Sequence, residues 1–309
     1  MPSYLLYLIT VVIWGSTWLA ITFQYGTVPT SASVAYRFLL AGSLLLIWCA
    51  AKGEKLAFRL REHGWMATQG LFLFGLNYML VYQAERYVSS GLVAVLFSVI
   101  VVLNLVGMRL AFGKPISRRS VLGAAMGTAG VALVFWPELT HVNGENAWLG
   151  VGIGLASTCV ASLGNLVSQR NQQAQLPLLP TIGFGMLYGG TASVLYTLAS
   201  GQSLTFDTSL RYISSLVYLS IFGSIIAFAA YLTLVGRIGA AKAAYSIVLT
   251  PIIALLLSSL FEGYVWHLTS FAGIALCLAG NVVMQANSDS GRQLMAALRS
   301  LRARWLPQT

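Results

Sequence analysis

The chain has 309 residues, of which 57% are hydrophobic and only 8% are charged, and its mean hydropathy is +0.77. Soluble domains carry about 25% charged residues, so this composition excludes an ordinary soluble protein. The net charge of +10 would suit a protein that binds nucleic acid, but the basic residues stand between long apolar segments.

Ten apolar segments predict ten membrane-spanning helices, because about 20 apolar residues in a helix cross the hydrocarbon core of a bilayer. The first segment follows Met-Pro-Ser without a basic region or a cleavage signal, so we interpret it as an uncleaved helix. The predicted fold class is an all-α integral membrane protein. In chain order, the segments cover residues 4–23, 33–51, 65–84, 87–108, 119–136, 147–168, 178–200, 211–236, 240–260 and 267–286.

The last five segments repeat the first five at an offset near 150 residues. Gly123 and Gly130 in the fifth segment recur as Gly273 and Gly280 in the tenth. A unit of five spans enters the membrane from opposite sides in its two copies, so we predict two inverted five-helix repeats. Such repeats are common in secondary transporters, which bind substrate near the membrane midplane. The predicted domains are a first repeat at 1–137, a second repeat at 147–287 and a basic amphipathic cytoplasmic tail at 288–309.

The basic residues define an orientation in the membrane. Arg86 and Arg211 fall on one side of the predicted spans, Arg37 lies within a span, and the other fifteen fall on the side of the N-terminus. Because cytoplasmic loops carry an excess of Lys and Arg, both termini are predicted to be cytoplasmic, and no nucleic-acid partner is expected. The fifteen are Lys52, Lys55, Arg59, Arg61, Arg109, Lys114, Arg118, Arg119, Arg170, Arg237, Lys242, Arg292, Arg299, Arg302 and Arg304.

Sequence motifs of enzymes are missing from the chain. It has no glycine-rich loop that ends in Gly-Lys-Ser/Thr, so neither ATP hydrolysis nor an ATPase partner is expected. Its three histidines lie in loops or at segment ends, and no aspartate lies within a span, which disfavours an intramembrane hydrolase or aspartyl protease. We expect no catalytic residue, no metal site and no cofactor. The predicted partners are the lipid bilayer and a small-molecule substrate.

Aromatic and uncharged polar side chains at matching depth mark a candidate substrate site. Tyr78 and Tyr82 are four residues apart and share one face of the third helix. Such a lining suits a small zwitterionic or amphipathic ligand. Simple helix packing or an interfacial aromatic belt are the alternatives. The predicted substrate-binding residues are Trp14, Asn77, Tyr78, Tyr82, Phe97, Ser98, Asn165 and Ser246.

Charged residues at membrane depth are costly and often functional, and Arg37 is placed near the outer end of the second span. It is either a snorkelling anchor or a vestibule cation that pairs with a substrate carboxylate or with Glu85. Because no carboxylate stands at the centre of a span, we expect facilitative flux or weak coupling through Glu85 and Glu262. Pro251 in the ninth span predicts either a hinge or a static bend.

Several short motifs recur in the order of a known family. They are Trp14-Gly15-Ser16 in the first helix, Arg37-Phe38 in the second, the Gly-x6-Gly of the fifth and tenth helices, and Phe261-Glu262-Gly263-Tyr264 before the tenth. Together they make nearly the whole chain resemble the drug/metabolite transporter superfamily in its EamA-type branch. Within that branch the chain is most similar to a bacterial exporter of aromatic and other neutral amino acids.

The resemblance implies export by alternating access across the bacterial inner membrane, with neutral amino acids as substrates. It places Trp14, Tyr78, Tyr82 and Phe97 in the substrate lining. Three departures favour a smaller or broader substrate range. Ser98 stands where many relatives carry proline, Lys114 stands where glutamate is usual, and small residues surround Ala161 in the sixth helix.

Other functions compete with amino-acid export. A relative of the same superfamily could export other small metabolites or cationic drugs, but small multidrug carriers use a glutamate in the first helix and this helix has no acid. Nucleotide-sugar carriers need cations for phosphate, and the spans hold only Arg37. A membrane-embedded enzyme or scaffold is a more remote alternative.

Overall fold

The structure is a computed structural model, and it describes residues 1–88, 93, 96–134, 136, 147–261 and 266–285. Every regular element in these residues is helical, which confirms the predicted all-α class. The predicted tail at 288–309 and Glu262 lie outside the described residues. Elements are α1 (Ser3–Thr22), α2 (Thr30–Ala51), α3 (Leu60–Gly70), π1 (Leu71–Leu76), α4 (Asn77–Ala84), α5 (Ile100–Phe112), α6 (Arg118–Val134), α7 (Ala147–Gln173), α8 (Leu178–Ala199), α9 (Leu210–Tyr218), π2 (Leu219–Ile226), α10 (Ala227–Ile238), α11 (Ala240–Phe261) and α12 (Leu268–Gln285).

Local chemistry explains where several helices begin and end. Proline stands at the N-cap of α1, α2 and α8, where its missing N–H costs no intrahelical hydrogen bond. Gly113 ends α5 with a φ of 64°, a left-handed conformation that glycine adopts at no steric cost.

Within the described residues, five helices are long and apolar enough to cross a membrane. They cover Ser3–Ile21, Thr30–Ala51, Ala147–Gln173, Leu178–Ala199 and Leu210–Ile238, and shorter apolar helices cover Leu96–Phe112, Ala240–Ile253 and Leu268–Met284. Two further predicted spans also fall on helices. The segment at 65–84 is divided by π1, and α6 has only 17 residues.

The third and eighth apolar segments each contain a π-helical stretch. Leu71–Leu76 joins α3 to α4, and Leu219–Ile226 joins α9 to α10. The two stretches are separated by the same offset of about 150 residues that relates the sequence halves. Because π-helical turns are rare and occur frequently at functional sites, their matching positions single out these two helices.

Helices α6 and α12 pack through the four glycines that repeat in the sequence. A Cβ atom on Gly130 would lie 2.8 Å from the carbonyl oxygen of Gly273, and one on Gly280 would lie 2.9 Å from that of Gly123. Numbering rises along one helix as it falls along the other, so the two run antiparallel. Small residues allow this close backbone approach.

The other main contacts also relate one half of the chain to the other. Helix α2 runs antiparallel to α8, because Ser31 meets Thr197 at one end and Gly42 meets Gly183 further along. Helix α1 packs on π2 and α10, and α7 packs on π1 and α4 in the same manner. Helix α1 of the first half thus contacts elements of the second half, and α7 of the second half makes the equivalent contacts with elements of the first.

Replacing Gly130 with leucine should destabilise the protein by about 1–3 kcal/mol, as overpacking does in well-packed interiors. The new side chain would collide with the Cys277 thiol and with the backbone of α12. The midpoint of thermal unfolding in detergent should fall. Gly152→Leu is the matched control, because a Cβ on Gly152 meets nothing within 4 Å; equal midpoints for the two variants would contradict the packing.

Candidate functional site

A cavity lies where helices from both halves of the chain meet. The space that it encloses, together with the part that is open to solvent, is about 920 Å³. Its wall is built from α1, α2, π1, α4, α5, α7, α10 and α11. The lining residues are Trp14, Thr17, Ile21, Arg37, Leu73, Asn77, Tyr78, Val81, Tyr82, Glu85, Phe97, Ile100, Ala161, Asn165, Phe228, Tyr231, Ile247, Thr250 and Pro251.

The structure brings most of the predicted site residues together at this cavity. Ser98 and Ser246 are buried but are not among its lining residues. The Ser246 hydroxyl donates to the Ala243 carbonyl in its own helix, at 2.8 Å. Of the neighbouring residues Phe97 and Ser98, only Phe97 lines the cavity. The predicted residues that do line it are Trp14, Asn77, Tyr78, Tyr82, Phe97 and Asn165, together with Arg37, Glu85 and Pro251.

The remaining lining residues were not among the predicted substrate-binding residues. Thr17 and Ile21 lie three and seven residues after Trp14, and Val81 lies between Tyr78 and Tyr82 on the same helical face. Helical spacing from the aromatic residues would therefore have identified them. Phe228 and Tyr231 on α10 show the same spacing, and both face Trp14.

Trp14 is held firmly in the cavity wall. Its indole Nε1 donates to the Gly223 carbonyl in π2 at 3.1 Å. Its ring centroid lies 4.9 Å from that of Phe228 and 4.9 Å from that of Tyr231, distances typical of favourable aromatic pairs. The indole therefore joins α1 to α10 and offers a fixed ring edge to the cavity.

Arg37 is buried in the wall, with 1% of its surface exposed. Its Nε donates to the Ser224 hydroxyl at 2.9 Å, and its Nη2 donates to the Gly223 carbonyl at 3.3 Å. The guanidinium lies 4.9 Å from the ring centroid of Tyr78, a cation–π contact. A snorkelling side chain would extend its charge out of the protein toward the interface, whereas this guanidinium is enclosed by protein groups.

Glu85 follows the last residue of α4, lines the cavity and forms no ion pair with Arg37. It accepts a hydrogen bond from the Tyr25 hydroxyl, while its Oε1 has no partner. Burial raises the pKa of Glu85, and the hydrogen bond from Tyr25 opposes the rise. Glu85 therefore takes up a proton at a higher pH than an ordinary glutamate. The ring centroids of Tyr25 and Tyr82 lie 6.0 Å apart, so the loop between α1 and α2 packs against α4.

Pro251 lies inside α11 and lines the cavity. Proline has no N–H to donate to the carbonyl four residues earlier, which here belongs to Ile247. The Thr250 hydroxyl donates to that carbonyl at 2.8 Å and satisfies it, as expected for a proline in a membrane helix.

Two asparagines carry unused hydrogen-bonding capacity in the cavity. Asn77 is buried and its Oδ1 has no partner, and neither polar atom of the Asn165 amide makes a hydrogen bond. Buried polar groups are normally paired. The cavity thus combines aromatic faces, the side-chain amides of Asn77 and Asn165, one guanidinium and one carboxylate, which are groups suited to the reversible binding of a small amphipathic molecule.

Comparison with known proteins gives one family. The model of the EamA-like transporter family matches residues 1–136 and 148–285. The inner membrane transporter YedA of Escherichia coli (strain K12) is 31% identical over 250 residues, which cover 80% of this chain and 79% of YedA. The transporter YvbV of Bacillus subtilis (strain 168) is 26% identical over 294 residues, which cover 93% of this chain and 92% of YvbV.

A solved crystal structure shares the fold. It superposes with a TM-score of 0.76, and the match covers 94% of this chain and 98% of that one at 19% sequence identity. The two chains therefore have the same architecture along almost their whole length.

Proposed function

The chain belongs to the EamA-like transporter family, and we propose that it is a secondary transporter that exports aromatic and other neutral amino acids. The observation that carries this proposal is the cavity between the halves. Ring faces of Trp14, Phe228 and Tyr78 can hold an apolar side chain, while the amides of Asn77 and Asn165 can bind the polar end of the same molecule.

We propose that transport proceeds by alternating access between two inverted five-helix repeats with ten spans in total. Three observations support this architecture. The family model matches two consecutive segments of the chain, the two halves exchange equivalent contacts, and α6 runs antiparallel to α12 as α2 does to α8. Rocking of one half against the other about a central site is the usual motion of such folds.

We place the protein in the bacterial inner membrane with both termini in the cytoplasm. A relative, YedA, is named as an inner membrane transporter. The Arg237 guanidinium donates to the Met1 carbonyl at 2.8 Å, so two positions that charge asymmetry assigns to the cytoplasm lie together. Reporter fusions at Gly53 and at Asn143, which lies outside the described residues, should report cytoplasm and periplasm respectively. A report of the same side from both would contradict this topology.

The distribution of charge favours facilitative flux down the substrate gradient. Among the described residues that line the cavity, only Arg37 and Glu85 are charged. Proton-coupled carriers commonly relay protons through carboxylates buried at the centre of a span, whereas Glu85 follows the last residue of α4. Purified protein in liposomes loaded with labelled phenylalanine or leucine should therefore release label without an imposed pH or sodium gradient.

The controls for this experiment are protein-free liposomes and liposomes with an imposed ion gradient. Release that needs the gradient and disappears in Glu85→Gln would instead assign the coupling to that carboxylate. A panel of labelled small metabolites and cationic drugs completes the test, because movement of these compounds without any amino acid would replace the proposed substrate class.

A further inference from the structure

Arg37 is the one buried cation among the described residues whose partners are all uncharged. Its guanidinium contacts the Ser224 hydroxyl, the Gly223 carbonyl and the rings of Tyr78 and Phe38. Its remaining nitrogen, Nη1, has no hydrogen-bond partner. An arginine carries five N–H groups in a fixed fork, so part of that fork is unused in the cavity wall.

The charge of Arg37 also lacks a counter-ion. No carboxylate of the described residues forms an ion pair with it, and Glu85 in the same cavity is bound to Tyr25. Burying an unpaired charge is costly, and in membrane proteins such groups usually mark the path of a substrate or ion. An anion that enters the cavity would supply the missing charge and the missing hydrogen-bond acceptor together.

We propose that Nη1 of Arg37 anchors a carboxylate of the transported molecule, so that a free carboxylate is a requirement for recognition at this site. This inference rests on the proposed function and specifies which end of an amino acid the protein reads. Arginine suits the task because its planar fork matches carboxylate geometry. The hydrogen bonds to Ser224 and Gly223 hold the fork in place, and the Asn77 Oδ1, which is free to accept, can receive the ammonium group.

The anchor would also connect the substrate to both halves of the chain. Arg37 belongs to α2 in the first half, whereas Gly223 and Ser224 belong to π2 in the second. The Gly223 carbonyl additionally accepts from the Trp14 indole. A carboxylate bound to Nη1 is therefore connected, through the Arg37 guanidinium, to Gly223 and Ser224 of π2. Substrate binding can change the backbone of that segment.

A ligand series with the purified wild-type protein tests the anchor without any variant. L-phenylalanine should bind about 10- to 100-fold more tightly than L-phenylalaninamide, the range expected for hydrogen bonds to charged groups. Also, 3-phenylpropanoate should bind more tightly than 2-phenylethylamine. Equal affinities within both pairs would overturn the anchor.

Substitutions of Arg37 test whether this residue causes the preference for a free carboxylate. Arg37→Met should bind the acid and the amide of phenylalanine with similar affinity, and Arg37→Lys should keep part of the preference because it retains the charge without the fork. Arg211→Met is the control, since Arg211 lies over the ring of Phe23 and does not line the cavity. A full preference in Arg37→Met would overturn the assignment.

The two proposals fail in different ways. If amino acids are transported but acid and amide bind equally well, the anchor is wrong and the transport function stands. If 3-phenylpropanoate binds in an Arg37-dependent manner but no amino acid binds or moves, the anchor stands and the proposed substrate class is wrong. If no carboxylate compound binds at all, both are wrong.

Discussion

Replacing Ala161 with tryptophan should reduce amino-acid flux to the level of protein-free liposomes. Ala161 lines the cavity from α7 and is 3% exposed. An indole at this position would extend into the space that the substrate needs and would meet the aromatic side chains across the cavity. Because the proposed transporter recognises and passes its substrate in the same cavity, filling that cavity should remove both.

Leu163→Trp is the matched control for this block. Leu163 is two residues further along α7, and 47% of its surface is exposed, so the same substitution there adds an indole on the outside of the bundle. Ala161→Leu provides a smaller step, for which partial flux is expected. Each variant should elute as a single species in detergent. Normal flux through a well-folded Ala161→Trp protein would show that substrate does not use this cavity.

Removing the ring of Tyr78 should lower transport efficiency about tenfold or more while membrane abundance stays the same. The ring lies 4.9 Å from the Phe38 centroid and 4.9 Å from the Arg37 guanidinium. Aromatic pairs contribute about 0.5–1.5 kcal/mol, a cation–π contact contributes about 0.5–2 kcal/mol, and a loss of about 1.4 kcal/mol is tenfold. Tyr78→Ala therefore loosens Arg37 and opens the wall.

Initial rates in liposomes over a range of phenylalanine concentrations measure this effect. Tyr78→Phe, which keeps the ring, should transport close to wild type, and Tyr82→Ala should act in the same direction as Tyr78→Ala. Because Tyr82 is buried beside Tyr25, the membrane abundance of Tyr82→Ala has to be compared with that of wild type as well. Wild-type rates in both alanine variants would mean that these rings serve helix packing rather than substrate binding.

The sequence was most informative where one pattern determines one property. Apolar length predicted the helices, and the recurrence of Gly123 and Gly130 as Gly273 and Gly280 indicated a repeat. In the structure these glycines let α6 and α12 pack closely, because small residues at helical spacing permit close approach. Tyr78 and Tyr82 are four residues apart, and this helical spacing identified the face of α4 that lines the cavity. These inferences need only the geometry of a single helix.

Other features depend on contacts between distant parts of the chain and could not be predicted from periodicity. The position of Arg37 follows from Gly223 and Ser224, almost 190 residues away, in a π-helical segment that no local pattern indicated. The bond between Tyr25 and Glu85, which leaves Arg37 without a carboxylate, depends on how a loop folds over α4. Ser246 lies in the right helix, but its hydroxyl satisfies its own backbone.

Counterflow in proteoliposomes measures whether this cavity carries neutral amino acids across the membrane. Liposomes containing purified protein are loaded with excess unlabelled phenylalanine and diluted into a trace of labelled phenylalanine, with identical pH and salt on both sides. We expect transient accumulation of label with wild type and with Leu163→Trp, and none with Ala161→Trp. Absence of counterflow for every neutral amino acid, or undiminished counterflow in Ala161→Trp, would contradict it.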